Sequence, residues 1–166
     1  MNKLLRYIIL FLAVLLSACD DKTRNKNDGP NTRFSIQVGD KTVQARITCT
    51  EKERQRGLMH VKSMPENEGM LFLARKPEKH GFWMKNTLIP LDIGYFCSDG
   101  LLREVHPMYP RNLDSVHSLR DDIRYALEMN QGWFQQNGIT PGARLGLDSV
   151  ADAIRRRGYS PNLWID

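Results

Sequence analysis

The sequence has few of the residues and motifs that mark most catalytic and metal-binding chains. Its 166 residues include 3 cysteines and 4 histidines, and no two histidines stand at the spacing of metal ligands. The motifs G-x-S-x-G, H-E-x-x-H, G-x-G-x-x-G and the P-loop are missing. These absences argue against the enzyme classes that those motifs define, and the sequence predicts no cofactor and no metal site.

The N-terminus lacks an apolar run long enough to cross a bilayer, which takes about 20 residues. Its uncharged run covers 12 residues from Tyr7 to Ala18, follows Lys3 and Arg6, and ends in LSAC at residues 16–19. This layout is typical of a secretory signal, and its end resembles the bacterial lipoprotein signal. An uncleaved membrane anchor is the alternative.

We therefore expect residues 1–18 to be a lipoprotein signal peptide and Cys19 to be lipidated. Residues 19–33 would then tether the protein to the periplasmic face of a bacterial membrane, and Asp20 resembles the signal for the inner membrane. Residues 20–33 contain no aliphatic or aromatic side chain, so they cannot bury a face. A flexible coil of this length spans about 20 Å on average.

Strong charge of one sign is also missing. Removal of residues 1–18 leaves 22 basic and 19 acidic residues, a net charge of +3. The dense basic run is IRRRG at residues 154–158, without interleaved aromatic residues, and it is typical of a solvated helix end or of a contact with anionic lipid. The composition therefore predicts no nucleic-acid partner.

Alternating apolar and polar residues predict strands in the region after the tether. Residues 34–38 and 43–49 alternate on either side of Gly39-Asp40, which predicts a β-hairpin. Thr50 and Glu53 form a capping pattern, which predicts a short helix over residues 51–57.

Further short runs predict strands at residues 69–74, 81–85, 91–97, 101–105 and 125–129, with a hairpin turn at residues 98–100. Asn130 is expected to cap a short helix, residues 144–147 to form a last strand, and residues 148–166 to add a small amphipathic helix. Many short strands with two or three brief helices predict a mainly β fold, an antiparallel sandwich or barrel, in one domain over residues 34–147.

Several of these segments together resemble the domain-of-unknown-function 192 family. The resemblance rests on ERQRGLM (53–59), EGMLF (68–72), FWMKNTLIPLDI (82–93), the turn SDG and ALEMNQGWFQQNGITPGARL (126–145). It implies a jelly-roll-like β-sandwich and brings no established activity and no catalytic residues. Where the family usually has polar or acidic residues at two strand ends, this chain has Cys49 and Cys97, which raises the expectation of a disulfide in an oxidising compartment.

The candidate ligand-binding residues come from the same motifs. Strand alternation in GFWMK places Trp83 and Lys85 on one face, opposite Phe82 and Met84. An indole can stack on a sugar or base while an ammonium holds an anion. Acids in strands need cations, so the full candidate set is Arg56, Trp83, Lys85, Asn86, Asp92 and Glu128, expected on one concave surface.

Three functions fit this residue mix. The first is a lipid-anchored envelope binding or accessory domain for a small polar ligand or an envelope protein. The second is a hydrolase or lyase that uses Asp92 and Glu128 as acid and base with Lys85 as electrostatic stabiliser. The third is a structural envelope protein in which these side chains form core contacts and ion pairs.

Overall fold

The computed structural model describes residues 28–165. The predicted signal peptide, Cys19 and the first part of the tether lie outside the described residues, as does Asp166. Within residues 28–165, no helix is long and apolar enough to cross a membrane.

The described residues form a mainly β fold with one large sheet. Strands β1 (Phe34–Val38) and β2 (Lys41–Ile47) make the predicted hairpin across Gly39-Asp40. The other strands of this sheet are β3 (Glu68–Glu78), β5 (Leu91–Cys97), β6 (Leu102–Met108) and β8 (Ile123–Asn130). The two-residue strands β4 (Gly81–Phe82) and β7 (Val116–His117) form a second, small sheet.

Three short helices accompany the strands in this part of the chain. They are α1 (Glu51–Arg56), α2 (Trp133–Gln136) and α3 (Leu147–Arg156), and a 3-10 turn follows at Pro161–Leu163. The predicted capping box is confirmed at α1, because Thr50 Oγ1 accepts from the Glu53 N–H and the Glu53 carboxylate accepts from the Thr50 N–H.

The large sheet has the order β1-β2-β3-β8-β5-β6. Its neighbouring strands are antiparallel except for β2 and β3, which are parallel because α1 and residues 57–67 carry the chain back to the starting end of the sheet. The expected antiparallel sheet is therefore a mixed one, and the described strands do not close into a barrel.

Each face of the large sheet is covered by a different layer. One face, named here the helix face, packs on α2, α3 and the 3-10 turn through a core that includes Trp133, Ile154 and Trp164. The opposite face is named the motif face. It is defined by one residue from each of five neighbouring strands, which stand in a row across the sheet: Arg46, Met70, Glu128, Ile93 and His106.

The motif face is covered by loops that carry the family-like motifs. Leu58, from the end of ERQRGLM, and Met84 and Ile89, from FWMKNTLIPLD, pack there against Tyr95 and Ala126. Because β5 and β8 lie between this layer and the helix layer, both strands are buried along nearly their whole length.

Three local predictions differ from the structure. The strand expected at residues 81–85 ends at Phe82, and residues 85–86 form a turn instead. Asn130 does not cap α2, since it is the last residue of β8 and donates to the Met64 and Pro65 carbonyls. Residues 144–147 make two isolated bridges rather than a strand. In each case a tertiary contact outweighs the local preference.

The structure also contradicts the expected disulfide, because Cys49 and Cys97 are free and buried. Cys49 follows β2 and Cys97 ends β5, and β3 and β8 lie between those strands. Three strand spacings amount to about 14 Å, whereas a disulfide joins Cα atoms within about 7 Å. Burial raises the pKa of the Cys49 thiol to about 11, and the Cys97 thiol donates to Asp99 at 2.7 Å.

Candidate functional site

The six candidate residues lie in three different places. Glu128 lies on the motif face and Arg56 at its edge, Asp92 lies on the helix face, and Trp83, Lys85 and Asn86 lie in a loop above the motif face. The structure therefore does not bring the six onto one concave surface.

Glu128 is the unusual residue of the motif face. It stands in the middle of β8 between Met70 of β3 and Ile93 of β5, and only 5% of it is exposed. Its carboxyl group makes no hydrogen bond and no ion pair with any residue in the described part of the chain. Burial raises its pKa to about 8, a rise that Arg46 opposes, so the carboxyl group is mainly neutral at pH 7.

Arg46 is the cation that the electrostatics couple to Glu128. It lies two strands away in the same row, with Met70 between them, and it makes no ion pair with a described residue. Burial lowers its pKa, the nearby guanidinium groups of Arg33 and Arg56 lower it further, and the Glu68 and Glu128 carboxyl groups oppose this fall. Arg33 is already paired with Glu68 at 2.6 Å.

Arg56 supplies a second guanidinium group without a partner on this side of the sheet. It is the last residue of α1, and the next residue, Gly57, lies over the Phe72 ring of the motif face. Its side chain is exposed and forms no ion pair among the described residues. Two guanidinium groups that form no ion pair with a described residue therefore lie near β3, the strand that neighbours Glu128.

The loops that cover the motif face meet at a strained junction. His60, Asn86 and Arg111 are the non-glycine residues with positive φ in the described chain, a conformation that costs about 1 kcal/mol or more for most side chains. Backbone hydrogen bonds join all three loops, from His60 N–H to the Asn86 carbonyl and from Arg111 N–H to the Thr87 carbonyl. Asn86 thus has the turn role that its residue type allows.

Asp92 has the opposite environment from Glu128. It lies on β5 between Leu91 and Ile93 and points to the helix face, where its Oδ2 accepts from the Gly132 N–H at 2.7 Å. Burial raises the pKa of Asp92, and the Gly132 hydrogen bond opposes that rise. The sheet separates the two carboxyl groups, so they cannot act on the same small substrate from these positions.

Trp83 and Lys85 do share a surface, although the strand that was expected to place them there is absent. Lys85 Nζ lies 5.0 Å from the centre of the Trp83 ring, a cation–π contact. Both side chains are exposed. They are therefore available to a partner, but not as part of a site with Asp92.

A polar pair that the sequence interpretation missed lies at the β6 end of the row. His106 Nε2 is 2.6 Å from Glu104 Oε2, and the Glu104 carboxylate also accepts from the Leu119 and Arg120 N–H groups. Burial opposes ionisation of Glu104, but these hydrogen bonds outweigh it and lower its pKa. The pair holds residues 116–120 onto the sheet, which is a structural role.

Arg46 was also missed, although the alternation of β2 contains it. Val43, Ala45 and Ile47 are buried on the helix face, which places Arg46 on the other face. Arg46 is aligned with Glu128 through Met70 by strand pairing, which belongs to the tertiary structure. The local sequence does not predict that pairing.

A cleft of about 730 Å³ lies elsewhere, between α1, the free end of β3 and the C-terminal turn. It contains none of the six candidates. Its charged side chains are largely paired with each other, as in Arg54–Glu51 at 2.6 Å and Lys76–Glu78 at 3.4 Å. Among the described residues, no three His, Cys, Asp or Glu side chains are grouped so as to hold a metal ion.

Solved structures of similar proteins exist, although comparison with curated proteins gives no match. A protein from Sinorhizobium meliloti 1021, described as a proposed transcription regulator, is 28% identical with a TM-score of 0.66, over 70% of this chain and 96% of its own. A protein of unknown function from Novosphingobium aromaticivorans DSM 12444 is 26% identical with a TM-score of 0.65, over 75% of this chain and 96% of its own.

A protein family also matches the region in which the motifs lie. The model of DUF192, described as an uncharacterized ACR, matches residues 34–147. This span contains all eight strands of the described residues and the loops that cover the motif face. Because it covers more than half of the 166 residues, the chain belongs to the DUF192 family.

Proposed function

We propose that the protein is a lipid-anchored binding or accessory domain on the periplasmic face of a bacterial membrane, which holds a small polar ligand over Glu128 on the motif face. The observation that carries the proposal is the Glu128 carboxyl group, which belongs to a side chain that is only 5% exposed and has no hydrogen-bond partner among the described residues. Among those residues, the fully enclosed polar side-chain atom without a partner is Arg157 Nε, so the Glu128 oxygens keep some contact with the surface. Such a group costs free energy in the empty protein. A ligand that hydrogen-bonds to it recovers that cost.

The neighbouring guanidinium groups support a ligand that also has an anionic group. Arg46 and Arg56 form no direct ion pair with a described residue, and guanidinium groups bind carboxylate and phosphate in a bidentate geometry. A mainly neutral Glu128 could then donate one hydrogen bond to the same ligand. Many jelly-roll proteins bind saccharides. Both a saccharide ligand and a jelly-roll topology are suggested for this protein by fold-level analogy only.

A thermal-shift screen of the chain from residue 19 with Cys19→Ala tests the ligand site. The probes are small carboxylates, phosphates and sugar acids, since binding to the native state raises stability by RT ln(1 + [L]/Kd). We expect stabilisation that is lost in Glu128→Gln and weakened in Arg46→Gln. Asp92→Asn is the matched control, because it changes a buried carboxyl group on the opposite face.

Two outcomes would contradict the ligand site. Equal stabilisation of wild type and Glu128→Gln would place binding elsewhere. Absence of any stabilising probe, together with a Glu128→Met protein that is more stable at every pH, would favour the structural role instead. The acid–base role of Asp92 with Glu128 has no support in the geometry, because the sheet lies between the two groups.

The anchor is tested separately. Metabolic labelling with a fatty acid is expected to mark the wild-type protein and not Cys19→Ala, because the predicted signal ends at that cysteine. Equal labelling of both proteins, or labelling of neither, would contradict the lipid anchor without bearing on the ligand site.

Nucleic acid is not part of the proposal, despite the description of the Sinorhizobium protein as a proposed regulator. The arginines of the basic run each pair with a carboxylate: Arg155 with Asp152, Arg156 with Asp28 and Arg157 with Glu53. Phosphate contacts would have to replace these pairs.

A further inference from the structure

The loop residues that the ligand site leaves unused form one exposed surface, named here the tip. The tip consists of residues 83–88 and 109–113. Backbone hydrogen bonds join its two segments, from Met84 N–H to the Asn112 carbonyl at 2.9 Å and from Arg111 N–H to the Thr87 carbonyl at 3.0 Å. These hydrogen bonds hold the two segments side by side.

The tip exposes large apolar side chains next to cations. Trp83 is 48% exposed, Tyr109 61% and Leu113 66%, and Leu88 is exposed as well. Lys85 lies over the Trp83 ring and Arg111 is exposed between the apolar residues. Neither cation has an ion-pair partner among the described residues, while Asp114 adjoins the tip as its nearest acid along the chain.

We propose that the tip docks on an anionic phospholipid surface. Tryptophan and tyrosine are enriched at the level of lipid headgroups, where an apolar ring and a polar edge are both satisfied. Lysine and arginine keep their charges among the phosphates while their stems lie along apolar surface. Each cation near an anionic surface strengthens binding by about fivefold.

The short tether to the predicted anchor favours a membrane as the partner. Eight residues lie between Cys19 and Asp28, and the nine Cα-to-Cα steps of that segment, fully extended, reach about 30 Å. A lipidated Cys19 would therefore hold the domain within reach of the bilayer, where an exposed apolar tip finds lipid at high local concentration. This inference rests on the proposed membrane location, not on the ligand at Glu128.

Trp83 provides a direct measurement of docking. The protein has 3 tryptophans, and Trp133 and Trp164 are buried, so changes in emission report chiefly on Trp83. The chain from residue 19 with Cys19→Ala is mixed with vesicles of phosphatidylethanolamine and phosphatidylglycerol, or of phosphatidylcholine alone. We expect a blue shift and co-sedimentation with the anionic vesicles, both weakened by salt.

Variants decide whether the tip is responsible. Leu113→Asp and Lys85→Gln are expected to weaken co-sedimentation with anionic vesicles, the first by about tenfold or more. Leu163→Asp is the matched control, because Leu163 is also exposed but lies in the C-terminal turn, and it should bind as the parent does.

Three results would overturn the proposal: absence of a blue shift with anionic vesicles, binding that Leu113→Asp leaves unchanged, or a blue shift caused by self-association without lipid. Because the assay protein has no acyl chain, a failed lipid anchor does not change its outcome. A failed tip likewise leaves the Glu128 screen intact.

Discussion

Two buried carboxyl groups on opposite faces of one sheet differ in their hydrogen bonding. Asp92, on the helix face, receives a backbone hydrogen bond from Gly132 at 2.7 Å. Glu128, on the motif face, receives none from the described residues. Less than a tenth of each residue is exposed, so the degree of burial does not explain the difference in hydrogen bonding. The turn before α2 supplies an N–H group to Asp92, whereas no group in the described part of the chain supplies a hydrogen bond to Glu128.

The pH dependence of stability should show the largest contrast between the faces. Burial raises the pKa of Glu128 from 4.5 to about 8 in the folded state. Between these values the folded protein keeps a proton that the unfolded chain has released, so stability falls as pH rises and levels off above about pH 8. At about 1.4 kcal/mol per pH unit, the loss amounts to as much as about 5 kcal/mol.

Urea melts of wild type and of Glu128→Gln from pH 5 to pH 9 measure this loss of unfolding free energy. The variant should lack the Glu128 share of the slope, while Asp92→Asn should keep it. Parallel pH profiles for wild type and Glu128→Gln would show that Glu128 is ionised in the folded protein, which contradicts an unpartnered carboxyl group.

The Glu53 carboxylate, in contrast to Glu128, is fully paired. Arg157 Nη2 lies 2.5 Å from Glu53 Oε1 where α1 meets α3, and its Nη1 donates to the Ile47 carbonyl. Arg157→Met leaves both acceptors without this donor and should cost about 3 to 5 kcal/mol. Arg155→Met, which removes an exposed pair from the same helix, should cost less than about 1 kcal/mol in the same urea melts.

Asp92→Ala should have an intermediate effect. The change leaves the Gly132 N–H without its acceptor in a partly buried turn, which should cost about 1 to 3 kcal/mol. Asp92→Asn keeps an acceptor oxygen and should cost less. If the two variants unfold at the same urea concentration, the hydrogen bond to Gly132 contributes nothing measurable.

Lys85→Met should have the smallest effect. The side chain is exposed and contacts only the Trp83 ring, so the cost is at most about 1 kcal/mol. A structural ion-pair network with Asp92 would instead cost about 3 to 5 kcal/mol. A loss of that size in a urea melt would contradict the placement of Lys85 in the exposed tip.

Local patterns predicted most of the elements. The first hairpin, the capping box at Thr50, the strands around residues 91–97 and 125–129, and the amphipathic helix near the C-terminus are confirmed. They depend on periodicity or on hydrogen bonds between residues close in sequence, which the sequence displays directly. The strand predicted through Lys85 was wrong because the backbone turns at Asn86, which has a positive φ. The alternation of apolar and polar residues does not reveal such a turn.

The candidate site depended much more on tertiary structure. Glu128 was identified from its sequence as an acid in a strand, but its lack of a hydrogen-bond partner among the described residues and its alignment with Arg46 follow from the strand order. The same order separates Cys49 from Cys97 and so contradicts their disulfide.

The sequence by itself determined the mainly β fold class, the family and most of the element positions, because hydrophobic periodicity and turn chemistry act over a few residues. Only the tertiary structure decided which side chains meet. A strand alternates its side chains between two faces, so Asp92 and Glu128 lie on opposite sides of the sheet through register alone. Register is set by pairing between distant segments, and that pairing places Glu128 where only 5% of it is exposed and no described residue hydrogen-bonds to its carboxyl group.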